Sequence, residues 1–214
     1  MRRRRTPGPV AATLHYKITS ILLQYPDERV HAALDDVAAA LPAIGSTDTR
    51  ELLGEFVGWL RTTPPTDAAQ HYVSTFDHNR KRALYLTYYR HGDTRARGMA
   101  LLTLKHTYRS AGYSPPEHEL PDYLPLILEF AAFAPEPGGR VLTQCRAGLE
   151  MLREAVHDVG SSYATLLDAL CSQLPELRSR ERDNLRKLAQ EGPPTEQVGL
   201  EPFAPPEYLT GQHR

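Results

Sequence analysis

Residues 93–111, DTRARGMALLTLKHTYRSA, repeat apolar side chains at the three- and four-residue intervals that place them on one face of a helix. An acidic residue at the start and a glycine just after the end are typical helix signals, and Asp93 and Gly112 occupy these places. The stretch therefore predicts a long amphipathic helix that is capped by Asp93. Its apolar stripe consists of Leu101, Leu104, Tyr108 and Ala111.

Helical periodicity continues on both sides of this helix. No alternating run of apolar and polar residues indicates a strand, and no segment recurs at a fixed period. We therefore predict an all-α fold, a single bundle of about eight or nine helices around one core. The other helices are predicted near residues 12–24, 27–41, 48–60, 66–76, 122–131, 140–157, 161–173 and 177–190.

Proline and glycine mark the expected boundaries of the helical domain. The sequence GYSPPEHELP predicts a stiff, hinge-like connector at 112–121, and PEPGG predicts a second break at 135–139. Arginines and prolines predict a flexible, basic N-terminus at 1–11, and a proline-rich sequence with little periodicity predicts a flexible tail at 191–214. The helical domain should accordingly span 12–190.

The bulk composition limits the classes of function. The chain has 214 residues, of which 41% are hydrophobic and 24% charged, as in ordinary globular proteins. Its net charge of −1 provides no overall field that would favour nucleic acid or an anionic membrane. The N-terminal arginines are followed by Pro7, Gly8 and Pro9 instead of the continuous apolar stretch of a signal peptide. We therefore expect a cytoplasmic protein without stable membrane insertion.

Catalytic and metal-binding patterns are absent from the sequence. No histidine pair has HxxxH spacing, and there is no phosphate-binding loop, dinucleotide-binding motif or GxSxG turn. His118, between Glu117 and Glu119, is the best candidate for a polar site, but we do not expect it to bind a metal. Cys145 and Cys171 lie in apolar helical patterns and are expected to be buried free thiols. We accordingly predict no catalytic residue, no cofactor and no metal.

Charge is unevenly distributed in the centre of the chain. Residues 71–113 carry a charge of +6 and residues 117–136 a charge of −5. Two explanations remain open: the segments neutralise each other after folding, or the acidic segment edges an apolar groove for a basic, amphipathic peptide. Tyrosines within the basic segment could also stack on nucleic-acid bases, but Leu84 and Leu86 beside them indicate a stretch that faces the core. We expect no nucleic-acid partner.

Four motifs follow one another in this part of the chain: TFD (75–77), LYLTYY (84–89), GDTRARGMALL (92–102) and ELPDYLPLILEF (119–130). Together they resemble the NarJ family of delta-subunit-type chaperones, within the wider class of redox-enzyme maturation proteins that includes the TorD and DmsD groups. The wider class often has a histidine after the Pro-Asp pair, whereas Tyr123 stands here. The tyrosine argues against a titrating side chain at this position.

The resemblance implies a TorD-like helical fold and a dedicated chaperone instead of an enzyme. Members of that family bind the newly made catalytic subunit of respiratory nitrate reductase, including its N-terminal segment, and assist insertion of the molybdenum cofactor. The implied partners are this catalytic subunit and the machinery that delivers the molybdenum cofactor. The alternative is a maturation chaperone for another molybdoenzyme, or a helical protein-binding adaptor.

The motifs also imply where a client peptide binds, with GDTRARGM and ELPDYL as two walls of the site. Asp122 should cap the helix that follows it and also meet a cationic partner, whereas Gly98 should allow close helix packing. Arg95 and Arg97 oppose the dipole of their own helix, which predicts partners on another helix or on the client. The expected client-binding residues are Tyr89, Asp93, Arg95, Arg97, Met99, Leu102, Glu119, Asp122, Tyr123 and Glu129.

Overall fold

Helices account for the regular structure of the protein in a computed structural model, which describes residues 9–177, 182–183 and 185–187. The described part has no strand beyond one isolated antiparallel bridge between Tyr85 and Tyr123. The predicted all-α class is therefore confirmed. The α-helices are α1 (Pro9–Leu22), α2 (Glu28–Ala40), α3 (Thr47–Thr62), α4 (Pro65–Phe76), α5 (Leu86–His91), α6 (Arg95–Ser110), α7 (Leu124–Phe133), α8 (Pro135–Gln144), α9 (Arg146–His157) and α10 (Tyr163–Cys171); short 3-10 helices occupy Leu41–Ala43 and Arg80–Arg82.

Two segments explain why the described residues form ten α-helices where the sequence indicates eight or nine. The predicted break at 135–139 is wrong, because PEPGG forms the first turn of α8, where proline lacks only an N–H that has no helical partner. The chain breaks instead one residue earlier, at Ala134 between α7 and α8. A second break, at Cys145, divides the helix predicted at 140–157 into α8 and α9. The second addition is α5, a six-residue helix that ends at Gly92 with a φ of 57°.

Two predicted helix caps are also wrong. The N-cap of α6 is Thr94 and that of α7 is Tyr123, and neither makes a side-chain capping bond. Asp93 and Asp122 therefore do not cap the helices that follow them. Each carboxylate instead binds a cationic side chain.

Near the start of the chain, two helices begin earlier than the sequence predicts. Helix α1 begins at Pro9 and not at residue 12. The cap of α3 is Ser46, whose hydroxyl oxygen accepts a hydrogen bond from the Thr49 N–H at 3.3 Å, two residues before the predicted cap, Asp48. The local sequence Ser-Thr-Asp-Thr offers several capping side chains, and the first of them is used.

Parts of the predicted termini lie outside the described residues. These parts are residues 1–8, the tail predicted at 191–214 and most of the helix predicted at 177–190. Within the last of these segments, residues 182–183 and 185–187 are helical.

The core is centred on the fully buried ring of Tyr163 at the start of α10. The rings of Phe56 and Phe76 each lie with centroids 4.9 Å from it, and that of Tyr72 lies at 5.7 Å. These residues come from α3 and α4, so one tyrosine joins three helices. On the other side of the bundle, α1 packs against α7, α7 against α8 and α5 against α9.

Two glycines permit close contacts between helices, although neither was predicted to do so. A Cβ at Gly138 would lie 2.3 Å from the Ala131 Cα, and one at Gly148 would lie 2.5 Å from the Leu86 carbonyl oxygen. Gly98, the glycine expected to allow close packing, has open space around it, so that prediction is wrong.

The connector at 112–121 is bonded to the bundle at both ends. The hydroxyl of Tyr108, on α6, donates to the Pro121 carbonyl at 2.6 Å. The ring of Tyr113 lies 5.5 Å from that of Phe130, on α7. These contacts hold α6 and α7 in a fixed relation, with the connector between them.

Both cysteines are free thiols, as the sequence indicates. Burial raises the pKa of Cys145 and of Cys171 to about 12 in each case. Neither thiol therefore forms an appreciable amount of thiolate at neutral pH.

Candidate functional site

The site is built around a short pairing of two segments, residues 84–86 and 122–124, which we call the clasp. The Leu86 N–H donates to the Asp122 carbonyl at 3.0 Å, and the Leu124 N–H donates to the Leu84 carbonyl at 2.8 Å. The clasp joins the LYLTYY motif to ELPDYL, which is one of the two expected walls of the site. The other expected wall, GDTRARGM, contacts the clasp through Arg97, which pairs with Asp122. It places the rings of Tyr85 and Tyr123 with centroids 5.5 Å apart.

Asp122 stabilises the clasp from inside. Its side chain is 0% exposed, and Oδ2 accepts from the backbone N–H of Thr87 at 3.3 Å and from the Thr87 hydroxyl at 2.5 Å. Because Thr87 lies in the first turn of α5, the carboxylate caps a helix that is distant in sequence. Asp122 is therefore a buried support of the site and is not exposed to a client.

Arg97 connects the clasp to α6. Its guanidinium pairs with Asp122 at 3.4 Å and with Asp93 at 3.2 Å, and it lies 5.7 Å from the centre of the Tyr88 ring. The side chain is only 17% exposed. The prediction that Arg97 has a partner outside its own helix is confirmed, as is the prediction that Asp122 meets a cation.

An aromatic pocket of about 330 Å³ opens beside the clasp, between α4, the 77–85 segment and the connector. Carboxylates of Asp77 and Glu119 lie at this pocket, and Arg80, also in its lining, pairs with Asp93 at 3.3 Å. The aromatic walls are Tyr72, Phe76, Tyr85 and Tyr123.

Hydrogen bonds between the walls fix the shape of the aromatic pocket. The Tyr85 hydroxyl donates to Glu119 Oε1 at 3.2 Å, and the hydroxyls of Tyr72 and Tyr123 lie 3.4 Å apart. Burial raises the pKa of Tyr85 to about 12, and the charge of Glu119 adds to this effect. Burial also raises the pKa of Tyr72 and of Tyr123. All three tyrosines are therefore neutral at physiological pH, and the anionic groups of the lining are Asp77 and Glu119.

This combination suits a cationic side chain. The faces of aromatic rings attract Lys and Arg, and a carboxylate at the mouth adds a charge-assisted hydrogen bond. Tyr72, Phe76 and Asp77 were not among the expected site residues. The signal for them is the motif YVSTFD, in which two aromatic residues four positions apart precede an acid.

The structure separates the other expected site residues from this pocket. Tyr89 is buried, and its hydroxyl lies 2.9 Å from the carbonyls of both Lys81 and Ala83. Glu129 pairs with Lys17 at 2.8 Å, across the contact between α7 and α1.

Residues of α6 lie outside the pocket as well. Arg95, Met99 and Leu102 are exposed along this helix. Of the expected residues, Glu119 and Tyr123 therefore line the pocket. Asp122 and Arg97 pair with each other in the clasp beside it.

The described residues also bear on metal binding and on membrane insertion. Among them, no group of three or more His, Cys, Asp or Glu side chains has an arrangement that could hold a metal ion. The helices of the described part are all too short or too polar to cross a membrane.

Comparison with known proteins gives a consistent set of similarities. Residues 42–169 match the model of the family described as nitrate reductase delta subunit. The chain is 40% identical over 167 residues to a Bacillus subtilis protein named "Probable nitrate reductase molybdenum cofactor assembly chaperone NarJ", a match that covers 78% of this chain and 91% of that protein. It is 33% identical over 156 residues to the nitrate reductase molybdenum cofactor assembly chaperone NarJ of Escherichia coli K12, covering 72% of this chain and 66% of that protein.

A solved structure shows the same fold. The crystal structure of a candidate redox enzyme maturation protein from Archaeoglobus fulgidus aligns with a TM-score of 0.55 and 24% sequence identity. The alignment covers 73% of this chain and 90% of that chain.

Proposed function

This chain belongs to the nitrate reductase delta subunit family, the family of the NarJ chaperones, and we propose that it is the assembly chaperone of a respiratory nitrate reductase. In this role it binds the catalytic subunit in the cytoplasm, before that subunit has received its molybdenum cofactor. The four motifs that resemble NarJ lie within the matched residues 42–169, so the resemblance is confirmed at the level of the family.

The aromatic pocket is the observation that carries the finer proposal, which concerns how the client is recognised. We assign the pocket to a basic side chain in the N-terminal segment of the catalytic subunit. Tyr85 and Tyr123 offer ring faces, while Asp77 and Glu119 supply the negative charge. An apolar side chain of the same segment would gain nothing from the charges of Asp77 and Glu119, whereas Arg or Lys would meet both, so the pocket favours a basic side chain.

The open pocket also suits a client that has to be released. A cation over a partly exposed aromatic face contributes only about 0.5–1 kcal/mol, and an exposed ion pair contributes a similar amount. Several such contacts give a complex that protects the segment yet dissociates when the catalytic subunit folds around its cofactor.

Isothermal titration with a synthetic peptide of the client's N-terminal segment tests this assignment. Glu119→Gln keeps an oxygen that can accept from Tyr85 but removes the charge, and we expect it to weaken binding about five- to tenfold. Asp77→Asn should act in the same direction. Glu117→Gln, an exposed change in the same connector, is the matched control and should bind as the unmodified protein does.

Two results would contradict the assignment. The first is an absence of binding heat at any peptide concentration, and the second is equal affinity in the Glu119→Gln and Glu117→Gln proteins. Peptides from the N-terminal segments of other molybdoenzymes, titrated in the same way, distinguish a nitrate reductase chaperone from one that serves another molybdoenzyme.

A further inference from the structure

Helix α6 is attached to the bundle by one of its faces. Leu104 and Tyr108 are its buried side chains. On the opposite face Met99 is 66% exposed and Leu102 is 60% exposed, the two largest exposed fractions among the large apolar residues of the described chain. Two neighbouring exposed apolar side chains make this face of α6 a candidate surface for binding another molecule.

The exposed face of α6 has a regular pattern, which we call the basic–apolar stripe. Its members follow one another at intervals of four and three residues, so they lie in a line along the helix. The apolar pair is at the centre and basic side chains are at both ends. The stripe consists of Arg95, Met99, Leu102, His106 and Arg109.

A groove runs beside the stripe, between α6 and the helices α5, α8 and α9. It contains two cavities, of about 180 and 400 Å³, which share Gln144 as a lining residue. Leu104, Val141 and Gly148 contribute to its floor, and His106 belongs both to the groove and to the stripe. The groove and the stripe therefore meet at His106.

Charge indicates what covers this surface. Helix α6 has no acidic residue, and three of its four basic residues, Arg95, Lys105 and Arg109, are exposed. The fourth, Arg97, pairs with Asp93 and Asp122. Arg90 and Arg140 line the two cavities of the groove, and Glu136, one turn before Arg140, pairs with it at 2.6 Å. A basic peptide would be repelled here, whereas glutamates and aspartates along a bound helix would meet opposite charges.

We propose that the basic–apolar stripe is a second docking surface, which binds an acidic, amphipathic helix of a partner protein. The partner helix lies along α6 with its apolar side chains on Met99 and Leu102. Its carboxylates lie beside Lys105 and Arg109. This is the mode in which an amphipathic helix is read through residues spaced three and four apart.

The proposal goes beyond the client pocket, since the two surfaces use different elements and opposite charges. The aromatic pocket is formed by α4, the 77–85 segment and the connector, and its anionic groups suit a basic segment. Met99 and Leu102, expected from the sequence to touch that same basic segment, are here assigned to a different and acidic partner.

Fluorescence anisotropy with the full chain and two labelled peptides tests the proposal. One peptide is an amphipathic helix with leucines at three- and four-residue spacing flanked by glutamates, and the other has lysines in place of those glutamates. We expect the acidic peptide to bind and the lysine peptide not to bind. The Met99→Ser/Leu102→Ser protein should lose about tenfold in affinity, because apolar anchors at the centre of an interface dominate its binding energy.

Charge reversal gives a second, independent readout. Lys105→Glu/Arg109→Glu should weaken the acidic peptide about tenfold or more and should create affinity for the lysine peptide. Val159→Ser removes an apolar side chain that is 50% exposed outside the stripe, and Arg29→Glu reverses a charge on α2. Both controls should bind the acidic peptide as the unmodified protein does.

Several results would overturn the proposal: equal binding of both peptides, no binding of the acidic peptide at millimolar concentration, or unchanged affinity in the Met99→Ser/Leu102→Ser protein. Sedimentation equilibrium of the unmodified protein can give a fourth such result. A dimer that the Met99→Ser/Leu102→Ser change dissociates would show that a second copy of the chain covers the stripe. The Glu119→Gln protein should still bind the acidic peptide, so failure of the client pocket and failure of the stripe are separate outcomes.

Discussion

Asp122 has a negative charge that water does not reach, and its partners explain how the fold tolerates it. Oδ2 accepts two hydrogen bonds from Thr87 and pairs with Arg97. Removing Asp122 from this group is costly, because Thr87 would lose the acceptor of its N–H and hydroxyl and Arg97 would lose the buried one of its two carboxylate partners. Asp122 is therefore expected to act on stability before it acts on binding.

We predict that Asp122→Ala lowers the free energy of unfolding by about 2–4 kcal/mol, the range for a broken buried pair together with a lost cap. Asp93→Ala is the matched control, because Asp93 also pairs with Arg97 but is 60% exposed, and it should cost less than about 1 kcal/mol. Urea denaturation of the two proteins, followed by circular dichroism, measures both values. Similar losses in the two variants would show that burial of Asp122 does not govern its contribution.

The same residue shows what a sequence can and cannot reveal about this site. Pro-Asp before an apolar helix is the local pattern of a cap, and Asp122 does cap a helix. The helix that it caps is α5, which lies 35 positions away at Thr87. Local sequence predicts that the Asp122 carboxylate binds backbone N–H groups at the start of a helix. It does not predict which helix, because that depends on the clasp, and the clasp forms only through tertiary packing.

At the scale of elements, most helices were predictable from their apolar periodicity, but the six-residue α5 and the start of α8 were not. Helices α1, α2, α4 and α6 lie close to their predicted positions because each has an apolar stripe over three or more turns. Six residues are too few to display such a stripe, so α5 was not predicted. The PEPGG segment contains the two residues that usually end helices, yet Pro135 is tolerated in the first turn and Gly138 fits closely against Ala131.

Gly148 offers a test of how closely α5 and α9 pack. We predict that Gly148→Ala lowers the free energy of unfolding by about 1–3 kcal/mol, because its Cβ would lie 2.5 Å from the Leu86 carbonyl oxygen. Leu86 cannot move away easily, since its own N–H is bonded to Asp122 in the clasp.

The control for this change is Gly98→Ala on α6, where the added methyl group meets open space. It should leave stability unchanged or raise it by up to about 1 kcal/mol, since alanine favours helix more than glycine does. Thermal denaturation of both variants gives the comparison. A fall in the melting temperature of the Gly98→Ala protein as large as that of Gly148→Ala would mean that glycine has another role in these helices.

At the scale of the whole molecule, the two charged blocks of the sequence are only partly neutralised by folding. Three of the five acids in 117–136 pair within the fold: Asp122 with Arg97, Glu129 with Lys17 and Glu136 with Arg140. Glu119 remains at the aromatic pocket, and Asp77, which lies in the basic block of the sequence, joins it there. Counting charges along the chain could predict an acidic edge, but burial and pairing decide which acids form it.

His15 makes the stability of the whole domain depend on pH. It lies on α1, which packs against α7, and its side chain is buried with no hydrogen-bond partner for Nε2. Burial lowers its pKa from 6.5 to about 4. Between these two pH values the unfolded chain binds a proton that the folded chain excludes, so the free energy of unfolding falls as the pH is lowered.

We therefore predict a loss of stability between pH 6.5 and pH 4 that is due to His15 and amounts to at most about 3 kcal/mol. His15→Leu, which removes both the titrating group and its unpaired Nε2, should flatten the dependence in this window. His118→Gln, an exposed change, is the control and should keep the slope of the unmodified protein. Urea denaturation at a series of pH values measures the three slopes. An unchanged slope in the His15→Leu protein would show that the acid sensitivity arises elsewhere, for which His71 is the next residue to test because burial lowers its pKa as well.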